Sequence, residues 1–81
     1  MEVSREDLVR ILGLPRVRQV ENLPEKEWEE RKWERLSDLL YAYEKLRREP
    51  TFEARRSCLL GLDMTLQTLL ARHILRLPTG E

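Results

Sequence analysis

An all-α fold is the class this sequence predicts. Three observations point to it: proline and glycine that punctuate the chain, capping residues ahead of each run, and apolar residues spaced by three and four. The expected architecture is two short N-terminal helices followed by a long antiparallel helical hairpin, with hairpins pairing into a helical-bundle oligomer.

Ser4 is a good N-cap, and Asp7 three residues on makes a short form of the capping box. Val3 and Leu8 occupy the positions of a hydrophobic staple. The first helix therefore covers residues 5–12, with Gly13 at its C′ position. Pro15 suits the first turn of a second helix over 15–22.

Pro24 opens a third helix, expected over 24–48. Glu25, Glu27, Glu29 and Glu30 load its start, while Lys45, Arg47 and Arg48 load its end, as the macrodipole favours. Trp28, Leu36, Leu39, Leu40, Tyr43 and Leu46 fall on one side, with Trp33 at the margin of a stripe about 140° wide. Glu27–Arg31 and Glu44–Arg48 are i,i+4 pairs on the other side. Glu49–Pro50 stops the helix, because a residue before proline avoids the α region. Thr51 can cap the fourth, expected over 52–76 and ended by Leu77–Pro78. So short a connection folds the two long helices back on each other, with arms about 35 Å long.

The fourth helix carries two apolar stripes. Leu59, Leu62, Leu66, Leu69 and His73 form one, flanked by Phe52, Leu70 and Ile74. Leu60, Met64, Ala71 and Leu75 form another, about 120° further round. A helix apolar over most of its circumference is buried on more than one side. The third helix covers one stripe; the other needs either the two short helices or a second chain. Each exposed leucine forfeits roughly 1.5–3 kcal/mol, against a net stability of only about 5–15 kcal/mol for a small domain. Pairing two hairpins recovers that loss. Gly61 sits mid-helix at a cost of about 1 kcal/mol relative to alanine, which suits either a close helix crossing or a plain surface position.

At 81 residues the chain has room for one domain, and with Cys58 as its one cysteine it forms no internal disulfide. The absence of a long apolar run and of a signal peptide reads as a soluble, cytoplasmic protein with no membrane partner. Basic and acidic residues balance at 15 each, and they balance segment by segment: four and four over 1–24, seven and eight over 25–50, four and three over 51–81. Phosphate-binding proteins usually carry a basic surplus. Twelve arginines against three lysines, with only Asn22, Gln19 and Gln67 as amides, suit a thermophilic source or equally a GC-rich genome.

Catalytic constellations are missing. Cys58 and His73 would lie about 22 Å apart on one continuous helix, far beyond the reach of a nucleophile–base pair. One Cys and one His cannot build a structural zinc site, and Leu70 stands where a Glu-x-x-His pair would need its carboxylate. Glu30, Glu34 and Asp38 align at i,i+4 spacing, but Arg31, Lys32 and Arg35 neutralise them. Gly13, Gly61 and Gly80 are isolated, so no glycine loop cradles phosphate. The expectation is a protein with no enzymatic activity, cofactor, metal or small-molecule substrate.

What remains is association. The expected function is a regulatory, adaptor or assembly module joined to a copy of itself or to a larger complex. Leu59, Leu62, Leu66, Leu69 and Met64 are the expected interface, with Tyr41 a further contact residue standing among charges. Residues 4–23 also resemble a helix-turn-helix, with a capped helix, Leu-Gly at the turn and a short second helix. That resemblance implies DNA reading by Arg16, Arg18, Gln19 and Asn22, with the hairpin as dimerisation arm. Val9, where such motifs want a small residue, Val20, one position late for the usual inward residue, and the neutral charge depart from it.

Overall fold

A computed structural model of the protein describes residues 3–77. Every regular element among them is helical: α1 (Arg5–Leu12), α2 (Leu14–Glu21), α3 (Glu25–Glu34), α4 (Leu36–Arg48), α5 (Phe52–Leu60) and α6 (Met64–Arg76). Pro78 and Gly80 lie outside the described residues.

The N-terminal pair is built by local chemistry. Ser4 Oγ accepts from Asp7 N–H at 3.2 Å, and Ser4 N–H donates back to Asp7 Oδ2 at 3.3 Å, so two orphan donors are satisfied reciprocally. Val3 and Leu8 are both buried. Gly13 ends α1 and starts α2 at φ 91° and ψ 149°, a backbone region that side chains with a Cβ rarely adopt. Its N–H reaches Val9 O at 2.8 Å while its own carbonyl accepts from Val17. One glycine thus serves both helices.

The long hairpin does not form, because both of its arms are broken. The arm expected over 24–48 bends at Arg35 (φ −131°, ψ 33°), where neither proline nor glycine stands. A straight helix over α3 and α4 would reach about 36 Å at 1.5 Å per residue, longer than the 32 Å greatest extent of the molecule. Bending lets Trp28 of α3 and Leu39, Ala42 and Leu46 of α4 join a single core. The arm expected over 52–76 stops after Gly61, which is itself helical (φ −80°, ψ −10°) and donates to Ser57 O at 3.0 Å. Asp63 then turns extended (φ −64°, ψ 160°), and its Oδ1 accepts from Leu66 N–H at 2.9 Å, capping α6. Gly61 is a helix end and not a helix crossing: a Cβ placed there would meet only carbonyls of its own helix, the nearer being Ser57 O at 3.2 Å.

The two breaks are tied to each other. Arg35 Nη1 donates to Asp63 Oδ1 at 2.8 Å, and Arg35 also reaches Asp38 Oδ2 at 3.3 Å. The Asp63 carboxylate therefore caps α6 and receives the guanidinium that marks the α3–α4 bend.

α6 is the central helix, touched by α1, α2, α3 and α4. Leu66, Leu69, Leu70, Ala71 and Ile74 are buried on it, and Leu59 is buried on α5. Most of the apolar circumference of the C-terminal segment is covered by the chain's own N-terminal helices, through Leu8, Val17 and Val20, and by α4, while Leu60 and Met64 stay exposed. Two buried polar side chains on α6 close helix ends that would otherwise be orphaned. Gln67 Nε2 donates to Leu59 O at 3.2 Å. Arg72 Nη1 donates to Val20 O and Leu23 O, both at 2.7 Å, and to Glu21 O at 3.2 Å, so one guanidinium gathers the carbonyls at the C-terminal end of α2.

Candidate functional site

The expected interface divides between core and surface. Leu59, Leu66 and Leu69 are buried within the single chain, so they are core residues and not a free contact face. The physical reason is the break after Gly61, which turns α6 into the cleft between the N-terminal pair and α4. Leu62 is half-buried. Met64 and Tyr41 do face solvent, at 62% and 74% exposure, and Leu40 and Leu60 join them as exposed large apolar residues.

Tyr41 is the organising residue of this outer surface. Positions 38, 41 and 45 of α4 stack at three- and four-residue spacing, which aligns them on one helix face. That face borders a hollow of about 350 Å³ between α4 and α5, whose far wall includes Cys58, Gly61 and Leu62. On the other flank of Tyr41, Leu40, Glu44 and Arg48 border a shallower hollow of about 560 Å³. Tyr41 and Lys45 belong to both. An exposed aromatic thus stands on a ridge with a hollow on each side. Its sequence signal was its position away from the α4 stripe; the first hollow depends on the crossing of α4 with α5 and had no local signal, whereas the second is lined by α4 and its cap residue Glu49 alone.

Cys58 lines the first hollow, and burial pushes its thiol pKa above the ordinary value. A protonated thiol is a poor nucleophile at neutral pH. His73 lies against a different neighbour, edge-on to the Tyr43 ring with centroids 4.9 Å apart. Burial, and next Lys32, hold its pKa below the ordinary value, whereas its place near a helix C-terminus favours the charged form. Desolvation wins there. The bend at Arg35 also breaks the acidic run: Glu30 and Glu34 stay on α3, while Asp38 is on α4 beside Arg35. Among the described residues no three His, Cys, Asp or Glu side chains cluster in a way that could hold a metal ion, and no helix is long and apolar enough to cross a membrane.

The residues expected to read DNA are not presented together. Arg18, Gln19 and Asn22 are exposed on α2. Arg16 instead turns inward: its Nη2 donates to Thr68 Oγ1 of α6, and its Nε is buried. The same helix is further neutralised by Glu21, whose carboxylate accepts from Arg5 Nε and Nη2 at 3.0 Å each. That pairing, chiefly its hydrogen bond, holds the Glu21 pKa below the ordinary value.

A second aromatic cluster surrounds Trp28. Lys32 Nζ lies 4.4 Å from the Trp28 ring centroid, and the guanidinium carbons of Arg76 and Arg72 lie at 5.0 and 5.8 Å. Glu25 Oε2 accepts from Arg76 at 2.6 Å and from Arg72 at 3.3 Å. The exposed Trp33 shares Lys32, at 5.5 Å. These contacts tie α3 to α6 around a buried indole.

No known protein family, curated protein or solved structure matches the chain significantly.

Proposed function

We propose that this protein is a non-enzymatic interaction module that receives a helix of another protein chain on its α4–α5 face. One observation carries the reading: Tyr41, three-quarters exposed, rises between two hollows and has Leu40 beside it. Tyrosine offers a large rigid contact at little entropic cost, and hot spots of interfaces are enriched in it. A groove with apolar floor residues and charged rims suits an amphipathic helix laid along it. In this role the protein acts as a regulatory, adaptor or assembly subunit in the cytoplasm.

Site-specific photo-crosslinking tests the proposal. A photoreactive residue replacing Tyr41 gives discrete adducts with one partner, and the same residue replacing Arg18 on α2 does not. The purified partner then binds the wild-type chain at least tenfold more tightly than the Tyr41→Glu variant. Adducts from both positions alike, or an affinity indifferent to Tyr41→Glu, overturn the reading.

DNA binding through α2 has less behind it, since Arg16 is engaged by Thr68 and Glu21 offsets Arg5. It predicts a salt-sensitive shift of duplex DNA, lost when Arg16 and Arg18 are both replaced by alanine. No shift at low salt dismisses it.

A further inference from the structure

The chain divides into two halves at one residue. The α1–α3 half meets the α4–α6 half through α2 and α3 on α6, and through α1 on α5 and α6. Specific ties cross this boundary: Arg72 on the carbonyls of Val20 and Leu23, Arg16 on Thr68, and Arg76 on Glu25. The covalent link between the halves is Arg35, the single non-helical residue between α3 and α4. Its surroundings favour helix. Glu34, Arg35 and Leu36 are good helix formers, no proline or glycine lies between Pro24 and Pro50, and no side chain caps the start of α4. A continuous helix would carry bonds from Leu36, Ser37 and Asp38 back to Lys32, Trp33 and Glu34. The bend has instead Arg35 N–H on Lys32 O at 3.1 Å and Leu39 N–H on Arg35 O at 2.9 Å. A side-chain pair fastens it, Arg35 Nη1 on Asp63 Oδ1 at 2.8 Å.

We infer that this bend is a hinge for domain swapping: it straightens into one helix over residues 25–48, and two copies exchange their α1–α3 halves across a two-fold axis. A straight helix of that span is about 36 Å long, which outreaches the 32 Å molecule and carries α1–α3 off its own α6. Each α1–α3 half lands on the α4–α6 half of the other copy and remakes there the contacts it had in the monomer. Exchange of an identical element is a low-cost route to a dimer for that reason. What changes is local. Each hinge gains the missing i→i−4 bonds, and the Arg35–Asp63 pair is given up, since φ and ψ of Arg35 set where its side chain points. Closure of a chain onto its own other half is intramolecular, so the monomer prevails when dilute and the swapped dimer grows in on concentration. Passing between the forms opens the whole boundary between the halves, the buried Arg72 contacts included. Exchange is therefore slow under native conditions and quick near the unfolding transition. Tyr41 and the α4–α5 face take no part in it, so this dimer and the binding of a helix at that face are separate properties.

Refolding from urea at micromolar and at millimolar concentration, followed by size-exclusion chromatography with light scattering, tests this on the intact chain. A slowly dissociating dimer is expected from the millimolar sample and a monomer from the micromolar one. Asp63→Asn, which keeps a cap on α6, raises the dimer fraction above wild type. Arg35→Ala and Arg35→Gly both lose the Asp63 pair, but glycine disfavours a helix about fivefold per residue relative to alanine, so over two hinges the alanine dimer is favoured at least about tenfold. Circular dichroism of each variant reports folding. Spin labels at Lys26→Cys and Arg48→Cys in a Cys58→Ser background, diluted into unlabelled chain, read distances within one chain of the dimer. A straight helix sets those positions about 33 Å apart along its axis, and the bent monomer holds them closer. A dimer whose labels keep the monomer distance is not swapped and overturns the inference. Wild-type and Arg35→Ala chains that both stay monomeric after millimolar refolding overturn it, as does equal dimer from Arg35→Ala and Arg35→Gly. A dimer abolished by Tyr41→Glu lies on the α4–α5 face instead, which overturns the swap and leaves that face as a binding surface.

Discussion

Arg72 shows most sharply how a single side chain can hold two elements together. Its guanidinium replaces water at three carbonyls from Val20, Glu21 and Leu23 while the residue is 8% exposed. Buried acceptors left unmade cost about 1–3 kcal/mol each. Arg72→Met is therefore expected to lower unfolding free energy by about 3 kcal/mol in urea titrations, whereas Arg76→Ala, at a half-exposed ion pair, costs less than about 1 kcal/mol. Equal effects would remove the special role of Arg72. His73 sets a pH dependence of definite sign. Its folded pKa lies below the ordinary 6.5 because burial disfavours the imidazolium. The unfolded chain thus takes up the proton first as pH falls. Stability contributed by the neutral ring is complete above about pH 6.5 and declines as acidification passes through the window below it, levelling once the folded ring is protonated. A urea midpoint followed from pH 8 to 5 shows that decline in the wild type and loses it in His73→Gln. Cys58 is expected to alkylate more slowly than an unfolded cysteine at pH 7.5, with the reactive fraction rising only at higher pH than usual; iodoacetamide kinetics read this directly. Of these residues, the sequence named Cys58 as the one cysteine and placed His73 at the end of an apolar stripe. It left Arg72 unmarked, because its three acceptors come from a segment about fifty positions away.

At the scale of elements, the helix ends that a local cap decides were readable. Ser4 with Asp7, Gly13 and Thr51 each act where their chemistry put them: Thr51 Oγ1 accepts from Ala54 N–H at 3.1 Å. Thr51→Ala is expected to cost about 1 kcal/mol, the usual worth of an N-cap. The missed break at 61–63 had a signal of its own, a glycine two positions before an aspartate that can cap. The break at Arg35 had none: Glu34, Arg35 and Leu36 all favour a continuing helix. It exists because Trp28 and Leu39 must both reach one core. The Arg35–Asp63 pair joins the two breaks, so its disruption is expected to loosen both. Asp63→Asn keeps a cap but loses the ion pair and lowers the thermal midpoint slightly. Asp63→Ala loses both and lowers it more. Identical midpoints for the two variants would mean that the cap carries no weight.

For the whole molecule, the question was what hides the apolar circumference of the last helix. The long-hairpin expectation answered with a second chain; the folded chain answers with its own α1, α2 and α4. Apolar contact with α6 is then mainly internal, and the exposed apolar side chains of α4 are Leu40 and Tyr41 on its outer face. The consequence is measurable. Leu66→Ala, in the core, lowers the thermal midpoint by the equivalent of about 2–5 kcal/mol. Tyr41→Ala leaves it within about 0.5 kcal/mol and changes only binding. A Tyr41→Ala chain as unstable as Leu66→Ala would place Tyr41 in the core and remove the surface argument.

Composition and periodicity by themselves determined that the chain is helical, where α1 and α5 begin, and which leucines prefer to leave water. Those are short-range properties: a cap speaks to backbone two or three residues away, and a stripe needs only its own helix. Tertiary packing alone decided that both long arms bend, that the N-terminal pair covers α6, and that Tyr41 and not the leucine stripe meets solvent. Bending forfeits a few backbone hydrogen bonds at each break, and only the burial gained by folding every segment onto one helix offsets that loss.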